Sequence, residues 1–368
     1  MSRVLIITPG ADPHTFLMRA ALRAHGVEPV MFFATDLPHR SRETIRFDGN
    51  GRRLEVRTPH ADLGATPFDA VWTWRTGLSI AEAAIDPADR DFAARQCEEM
   101  REAVLDALPR TGFWVNPLEA ARRSLLKPRQ HAVAAEAGLK MIPTLYSNDP
   151  VEIRKFLAEC GGTLVYKRLR SDRAQWIEGE RTYHSYTSAF TARDLPDDDV
   201  LAAVPGIYQP IIPKAYDLRV TVIGDRLFPV RIHSQRTNGG RLDYRLAYGE
   251  GVTMEECSLP RATEDRVREL MRAMGLVYGA VDFIQTPEGE LLFLENNQMG
   301  QFLFVEMRTG APLFDAFAQM LAQGRPDYRW SRARAKVRLD DAFRARVSRE
   351  ISAYLEAGGR APAAEAVQ

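Results

Sequence analysis

Two short apolar runs, Val281–Ile284 and Leu291–Leu294, flank the turn-like stretch Thr286-Pro287-Glu288-Gly289. Runs of this length around such a turn predict a β-hairpin. Pairing would bring Asp282, near the end of one strand, close to Glu295 and Asn297 at the end of the other. Glu295 and Asn297 are two residues apart, so a regular strand turns both to one face. Two carboxylates and an amide oxygen are hard donors. Mg²⁺ takes a few such ligands and completes its octahedron with water and phosphate oxygens. The hairpin reads as a nucleotide-metal site. The same residues would also serve as strand-end caps, with Asn296-Asn297 in a turn, and the pattern alone leaves both readings open.

At 368 residues the chain exceeds one average core, and two or three packed units are expected. An apolar fraction of 45% with 27% charged residues is ordinary for a globular protein. Lys and Arg number 49 against 49 Asp and Glu, so no global attraction to nucleic acid or an anionic membrane is expected. No apolar run approaches a membrane span, and Met1-Ser2-Arg3-Val4 enters a strand without a signal-peptide core. Cys97, Cys160 and Cys257 lie far apart without metal-like spacing; as reduced thiols they fit a cytoplasmic protein.

Along the chain, Val4–Thr8, a helix over Thr15–Ala24 and Pro29–Phe33 form a β-α-β order that predicts a parallel sheet. The intervening turn has no G-x-G-x-x-G fingerprint. Thr44–Val56 reads as a hairpin, Phe68–Arg75 as a strand, Asp89–Leu108 as a helix, and Phe113–Pro117 closes a first unit. Further on, a helix is expected over Arg122–Ala137, a strand over Ile142–Leu145, a helix over Val151–Glu159 and a strand over Thr163–Arg168. Arg170–Arg181 reads as a loop and Thr182–Phe190 as a strand. Leu218–Ile223 and Phe228–His233 bracket the turn Gly224-Asp225, a hairpin signal. Helices over Glu264–Met274 and Ala311–Ala322 frame the opening hairpin. Leu339, Phe343, Val347, Ile351 and Leu355 recur every four residues, as on a helix with one apolar stripe, and Ala361–Gln368 reads as disordered.

Several stretches complete an ordered set with the hairpin: Val71-Trp72-Thr73-Trp74-Arg75, Trp114-Val115-Asn116-Pro117, Lys127 on a helix, Pro143–Asn148, Val165-Tyr166-Lys167, Gln209–Ile212, Asp217–Gly224 and Asn297–Phe302. In this order they resemble the ATP-grasp superfamily, and within it the graspetide synthetases, the microviridin-type peptide cyclases. Ribosomal-protein glutamate ligases are more distant relatives. The resemblance implies an α/β (α+β) ATP-grasp fold with an N-terminal parallel-sheet pre-ATP-grasp domain. It divides the chain into 1–115 (pre-ATP-grasp), 116–205 (central subdomain), 206–330 (C-terminal subdomain with the Mg/ATP site) and a helical tail, 331–368.

The resemblance also implies roles. Lys127 and Lys167 would neutralise ATP phosphates. Gln209, Pro210, Ile211 and Ile212 would line the adenine, and Asp217 would hydrogen-bond the ribose. Arg245 would hold the transferred phosphate with its planar fork, with Arg231 near the reacting carboxylate. Asp282, Glu295 and Asn297 would hold Mg²⁺. The activity implied is ATP-dependent activation of Asp or Glu side chains of a ribosomal precursor peptide, with Ser, Thr or Lys closing ester or amide rings. That peptide would have leader and core segments, and a leader site would lie near Arg170–Tyr186. The family often forms homodimers, and the Leu339–Leu355 stripe would pack on the body or on a second subunit. The alternatives are a ligase adding an amino acid or amine to a carboxylate, and a non-catalytic peptide-binding protein. Departures from the pattern touch the substrate more than the nucleotide: Asn297-Gln298-Met299-Gly300 replaces the commoner Asn-Pro turn, and Ala247 stands where glutamate ligases place Asn.

Overall fold

The computed structural model describes residues 2–37, 40–49, 51–64, 66–76, 85–169, 175–178, 181–184, 188–237, 239–245 and 251–359. Contacts divide the chain into two compact units. One comprises Met1–Pro117, Ile223–Arg226 and Gln301–Gln368; the other comprises Leu118–Val222 and Leu227–Gly300. Among the described residues, no helix is long and apolar enough to cross a membrane.

The first unit holds the expected parallel sheet, ordered Val30–Phe33, Val4–Thr8, Ala70–Thr73, Phe113–Val115. Val4–Ile7 are completely buried, as continuous apolar runs covered on both faces must be. The first crossover helix, Pro13–Ala24, starts where Asp12 caps it by accepting from the His14 N–H at 2.8 Å. Arg42–Asp48 and Gly51–Arg57 pair antiparallel, as their turn residues predict. The C-terminal residues return to this unit as helices Leu303–Thr309, Leu313–Gln323 and Asp341–Glu356. Phe317 packs on Trp72 at 5.0 Å and stacks on Phe302 at 5.7 Å. In the last helix Val347 and Tyr354 are the buried residues, whereas Leu355 of the expected stripe is exposed. A row spaced every four residues advances roughly 40° per step around a helix, so its ends rotate out of contact. Val347 and Tyr354, seven apart, nearly eclipse.

The second unit contains two sheets. The larger runs Met254–Glu256, Arg226–Ile232, Tyr216–Ile223, Tyr278–Gln285, Leu291–Asn297, Lys140–Met141; the smaller runs Ser188–Thr191, Thr163–Lys167, Gly206–Pro210, Leu145–Ser147. Each is covered by helices on one face. Leu218, Val220, Val222, Val281, Phe283 and Phe293 of the larger sheet form a core with Val133 and Ala134 of helix Lys127–Glu136 and with Val267, Leu270 and Met271 of helix Arg261–Met274. Leu164 and Tyr208 of the smaller sheet pack with Ile153, Leu157 and Leu201. Alternation along each strand leaves the opposite faces to the polar residues.

Three local expectations are corrected. The helix expected over Arg122–Ala137 is two helices, Leu118–Ser124 and Lys127–Glu136. Pro128 lacks the N–H that would bond back to Ser124, so the first helix cannot run through it; Leu126 is extended and caps a new helix that carries the proline in its first turn. The strand expected over Ile142–Leu145 is split by Pro143 into Lys140–Met141 and Leu145–Ser147. Within Arg170–Arg181, Gln175–Glu178 is a strand and pairs with Arg181–His184, while Ser188–Thr191 is a separate strand. Much of the segment assigned to a leader, together with Ala247 and Ala361–Gln368, lies outside the described residues.

Candidate active site

The opening hairpin forms between Tyr278–Gln285 and Leu291–Asn297, with Asp282 directly opposite Glu295 and Ala280 opposite Asn297. Between these pairs and Phe283 opposite Phe293 the register shifts, and Leu294 is the extra residue. The shift has a chemical consequence. Phe293 and Glu295, two apart, would share a face of a regular strand; the bulge sends Phe293 into the core and keeps Glu295 opposite Asp282 on the polar face. His131 Nε2 lies 3.2 Å from the Leu294 carbonyl and donates to it; its Nδ1 then accepts from the Tyr146 hydroxyl at 3.0 Å. Burial pushes the His131 pKa down, in keeping with a neutral ring. Gln130 clamps Asn296 from both sides, accepting from its N–H at 2.8 Å and donating to its carbonyl at 3.1 Å.

Each acidic group on the polar face carries its own cation. Asp282, buried, is held by Arg219 Nη1 at 3.0 and 2.8 Å from its two oxygens. Burial pushes the Asp282 carboxyl up to about 6 against the pull of Arg219. Glu295 is paired with Lys127 Nζ at 3.0 Å. The Lys127 charge, aided by Arg245 and Lys167, holds Glu295 down to about 2 despite burial. Arg245 is forked onto Asp243, Nε to Oδ1 at 2.9 Å and Nη2 to Oδ2 at 2.6 Å. Burial pushes Asp243 up, but that fork prevails and leaves it below the ordinary carboxylate value.

Lys167 differs. It and Gln209 lie on one face of the smaller sheet, where Val165 pairs with Gln209 and Lys167 with Ile207. Lys167 Nζ donates to Gln209 Oε1 at 2.8 Å, and Gln209 Nε2 donates to Thr144 Oγ1 at 2.8 Å. The partner in that bond is neutral, and burial pushes the Lys167 ammonium down to about 8 although Glu295 pulls it up.

The structure therefore brings Lys127, Lys167, Arg245, Asp282 and Glu295 within one electrostatic cluster. Asn297 lies exposed beside it, its Oδ1 accepting from the Met299 N–H at 3.0 Å. Ile212 packs against the apolar patch of Ile142, Ile284 and Leu292, while Ile211 is exposed and Pro210 half-buried. Asp217 is buried and already bonded to Lys214 and Ser234, with burial pushing its carboxyl up. Arg231 is not brought to the group. Its guanidinium lies 5.2 Å from the Tyr216 ring and 3.1 Å from Glu255, and Tyr216 packs against the helix-covered core. Arg219, Gln130, Thr144 and His131 are site residues that the sequence reading missed. Alternation from Asp217 along its strand was the signal available for Arg219.

The donor set suits Mg²⁺ in chemistry, with two carboxylates opposed on one face and an amide two residues on. Among the described residues, no group of three or more His, Cys, Asp and Glu side chains is placed to hold a metal ion. A metal here would need oxygens from outside the protein, as Mg²⁺ with phosphate has.

No family model matches the sequence. A "Probable alpha-L-glutamate ligase" of Xanthomonas campestris pv. campestris is 28% identical over 208 residues, 54% of this chain and 66% of that protein, just under two thirds of its length. The Chryseobacterium gregarium RiPP-associated ATP-grasp ligase, in complex with ADP and a leader and core peptide, superposes with a TM-score of 0.79 at 22% identity, covering 90% of this chain and all (100%) of that one. The macrocyclase MdnC of Microcystis aeruginosa MRC, bound with precursor peptide MdnA, gives 0.75 at 26% identity, covering 87% and 99%. The ATP-grasp ligase PsnB, complexed with a minimal precursor variant, Mg and ADP, gives 0.67 at 23%, covering 87% and 98%.

With this fold and this cluster of opposed carboxylates and cations, the chain is an ATP-grasp protein. Within that superfamily the solved structures it resembles are RiPP-associated ATP-grasp ligases and macrocyclases.

Proposed function

We propose that this chain is an ADP-forming ligase that phosphorylates Asp or Glu side chains of a ribosomal precursor peptide and closes ester or amide rings with Ser, Thr or Lys. The observation that carries the reading is the Asp282–Glu295 pair facing across one hairpin inside a field of Lys127, Lys167 and Arg245. The peptide substrate is supported by the likeness to MdnC, which is described bound to its precursor.

A carboxylate is a poor electrophile, because its charge repels nucleophiles and oxide leaves badly. Transfer of the γ-phosphate turns one carboxylate oxygen into a good leaving group; a hydroxyl or amine then attacks the acyl carbon and phosphate departs. The protein contributes position and charge. Lys167, whose partner is a neutral amide, is a standing cation for a phosphate. Arg245 offers a planar fork to the transferred group once released from Asp243. Asp282, Glu295 and Asn297 would hold Mg²⁺, which neutralises phosphate charge when bound. The apolar patch around Ile142, Ile212, Ile284 and Leu292 suits an adenine ring. No covalent enzyme intermediate is needed. Precursor binding through leader and core segments, and dimer formation, belong to the same reading.

The curated relatives favour one other outcome, addition of an amino acid to a carboxylate. Mass spectrometry separates the two. With ATP, Mg²⁺ and the precursor peptide encoded beside its gene, the cyclase loses one water mass per ring, whereas a glutamate-ligase-like enzyme adds an amino-acid residue mass. Glu295→Gln, which keeps size and removes charge, abolishes either change while circular dichroism is retained. An active Glu295→Gln enzyme overturns the metal assignment.

A further inference from the structure

The expected metal site is lined with positive charge. The Lys127 ammonium sits 3.0 Å from Glu295, and Arg219 bridges both oxygens of Asp282. The two cations are held differently. Arg219 is buried, and beside it Gly300 leaves room for its Nη2, so it cannot withdraw without repacking. Lys127 opens a helix directly after the exposed Leu125 and Leu126, and among the described residues its ammonium has a single ion-pair partner, Glu295. A lysine is also a flexible point charge that exchanges partners readily. Among the described residues, no third His, Cys, Asp or Glu joins Asp282 and Glu295 to hold a metal.

We propose that Lys127 is a resident counter-ion that makes the site selective for a metal–nucleotide complex over free metal. In the empty protein it satisfies Glu295 and competes with any lone divalent cation. When metal and polyphosphate enter together, the metal takes Glu295 and the displaced ammonium moves to a phosphate oxygen, so charge stays balanced throughout. Metal alone would leave Lys127 without a partner beside a dication; nucleotide alone would leave Glu295 facing phosphate. Each ligand therefore strengthens the other's binding, and such coupling is typically ~5–150-fold. The inference rests on reading this site as the MgATP site.

The test uses Mn²⁺ as the probe, with free ion counted by electron paramagnetic resonance, in the full chain without nucleotide. Wild type is expected to bind Mn²⁺ weakly, and Lys127→Met to bind it at least about tenfold more tightly, the low end of such coupling. Lys127→Arg, which keeps the cation, stays near wild type. Adding Glu295→Gln to Lys127→Met returns affinity to the weak level. If correctly folded Lys127→Met binds Mn²⁺ no more tightly than wild type, while wild type binds MnADP, the counter-ion role is overturned and the nucleotide site stands. If Lys127→Arg binds as tightly as Lys127→Met, charge is not the cause and the inference also falls. Absence of any MnADP binding to wild type overturns both readings.

Discussion

Arg219 presents a single nitrogen, Nη1, to both carboxylate oxygens of Asp282, and both residues are buried on the polar face of the larger sheet. Burial alone would drive Asp282 towards its neutral acid, and Arg219 is the main force against that. Arg219→Met removes the cation and leaves a carboxylate with no compensating charge. Loss of one member of a buried pair typically costs about 3 kcal/mol or more. The expected outcome is a lower denaturation midpoint by urea titration. Arg219→Met combined with Asp282→Asn should recover a substantial part, since no unpaired charge remains. A double variant as unstable as the single one would mean that Arg219 acts through packing instead.

Lys167 is the one cluster cation whose bonded partner is neutral, and it titrates near physiological pH. Burial lowers its pKa from 10.5 to about 8, so between those values the unfolded chain binds more protons than the folded one. Lys167 therefore burdens stability fully below about pH 8, and the burden lifts as pH rises towards 10.5. Lys167→Met should raise the unfolding free energy at pH 7 by on the order of 1 kcal/mol for a partly exposed group, and with it the thermal midpoint, the gain fading at high pH. Nucleotide affinity moves the other way. An incoming phosphate favours the charged ammonium, so MgADP affinity of wild type should fall as pH rises through about 8, and Lys167→Met should lose affinity at every pH. Thermal melts and titration calorimetry across this range check the two signs.

The hairpin carrying Asp282 and Glu295 was legible because apolar runs of strand length around a Pro-Glu-Gly turn have few other solutions. The parallel sheet was legible from continuous apolar strands. What local pattern could not carry was the identity of partners distant in sequence. Lys127 and Glu295 are 168 positions apart, and nothing near either marks the pair. The bulge at Leu294 was hidden because Leu291–Leu294 is apolar throughout, so a one-residue slip leaves no trace in hydropathy. Arg231 was expected beside the reacting carboxylate from motif order alone. Its strand neighbours put it on the helix-covered face, a parity that needs the register and not the motif. Return of the C-terminal helices to the first sheet rests on ring contacts such as Trp72 with Phe317, which no window of sequence contains.

Gly300 follows the hairpin at a place where a side chain has no room. A Cβ there would lie 2.4 Å from the Ala280 Cβ and 2.7 Å from Arg219 Nη2. The Ala280 methyl is fixed by its strand, and the Arg219 nitrogen is tied to the buried pair, so neither yields cheaply. Gly300→Ala should destabilise by about 2 kcal/mol, as overpacking does, and should weaken MgADP binding by disturbing Asp282. Ala280→Gly removes the harder of the two obstacles and should restore part of both losses. Thermal melts and calorimetry of the single and double variants test this; a Gly300→Ala protein with wild-type stability refutes the close packing.

Gln209 couples the smaller sheet to the same chemistry, and Glu at this position would break that coupling in a readable way. Thr144 Oγ1 donates to the Ile142 carbonyl at 2.8 Å, so toward Gln209 it can only accept. That requires the amide N–H of Gln209 on the Thr144 side and its oxygen on Lys167, as observed. Gln209→Glu keeps the shape but supplies no donor to Thr144, and it sets a negative charge 2.8 Å from the Lys167 ammonium. Lys167 would then be neutralised internally and its pKa would rise. Two results are expected from one titration. MgADP affinity should fall by about tenfold at pH 7, the weight of one charge-assisted contact of about 1.4 kcal/mol. The decline of affinity through pH 8 expected for wild type should vanish, because the lysine no longer titrates there. A Gln209→Glu protein with reduced affinity but an unchanged pH profile would mean that another group sets the titration.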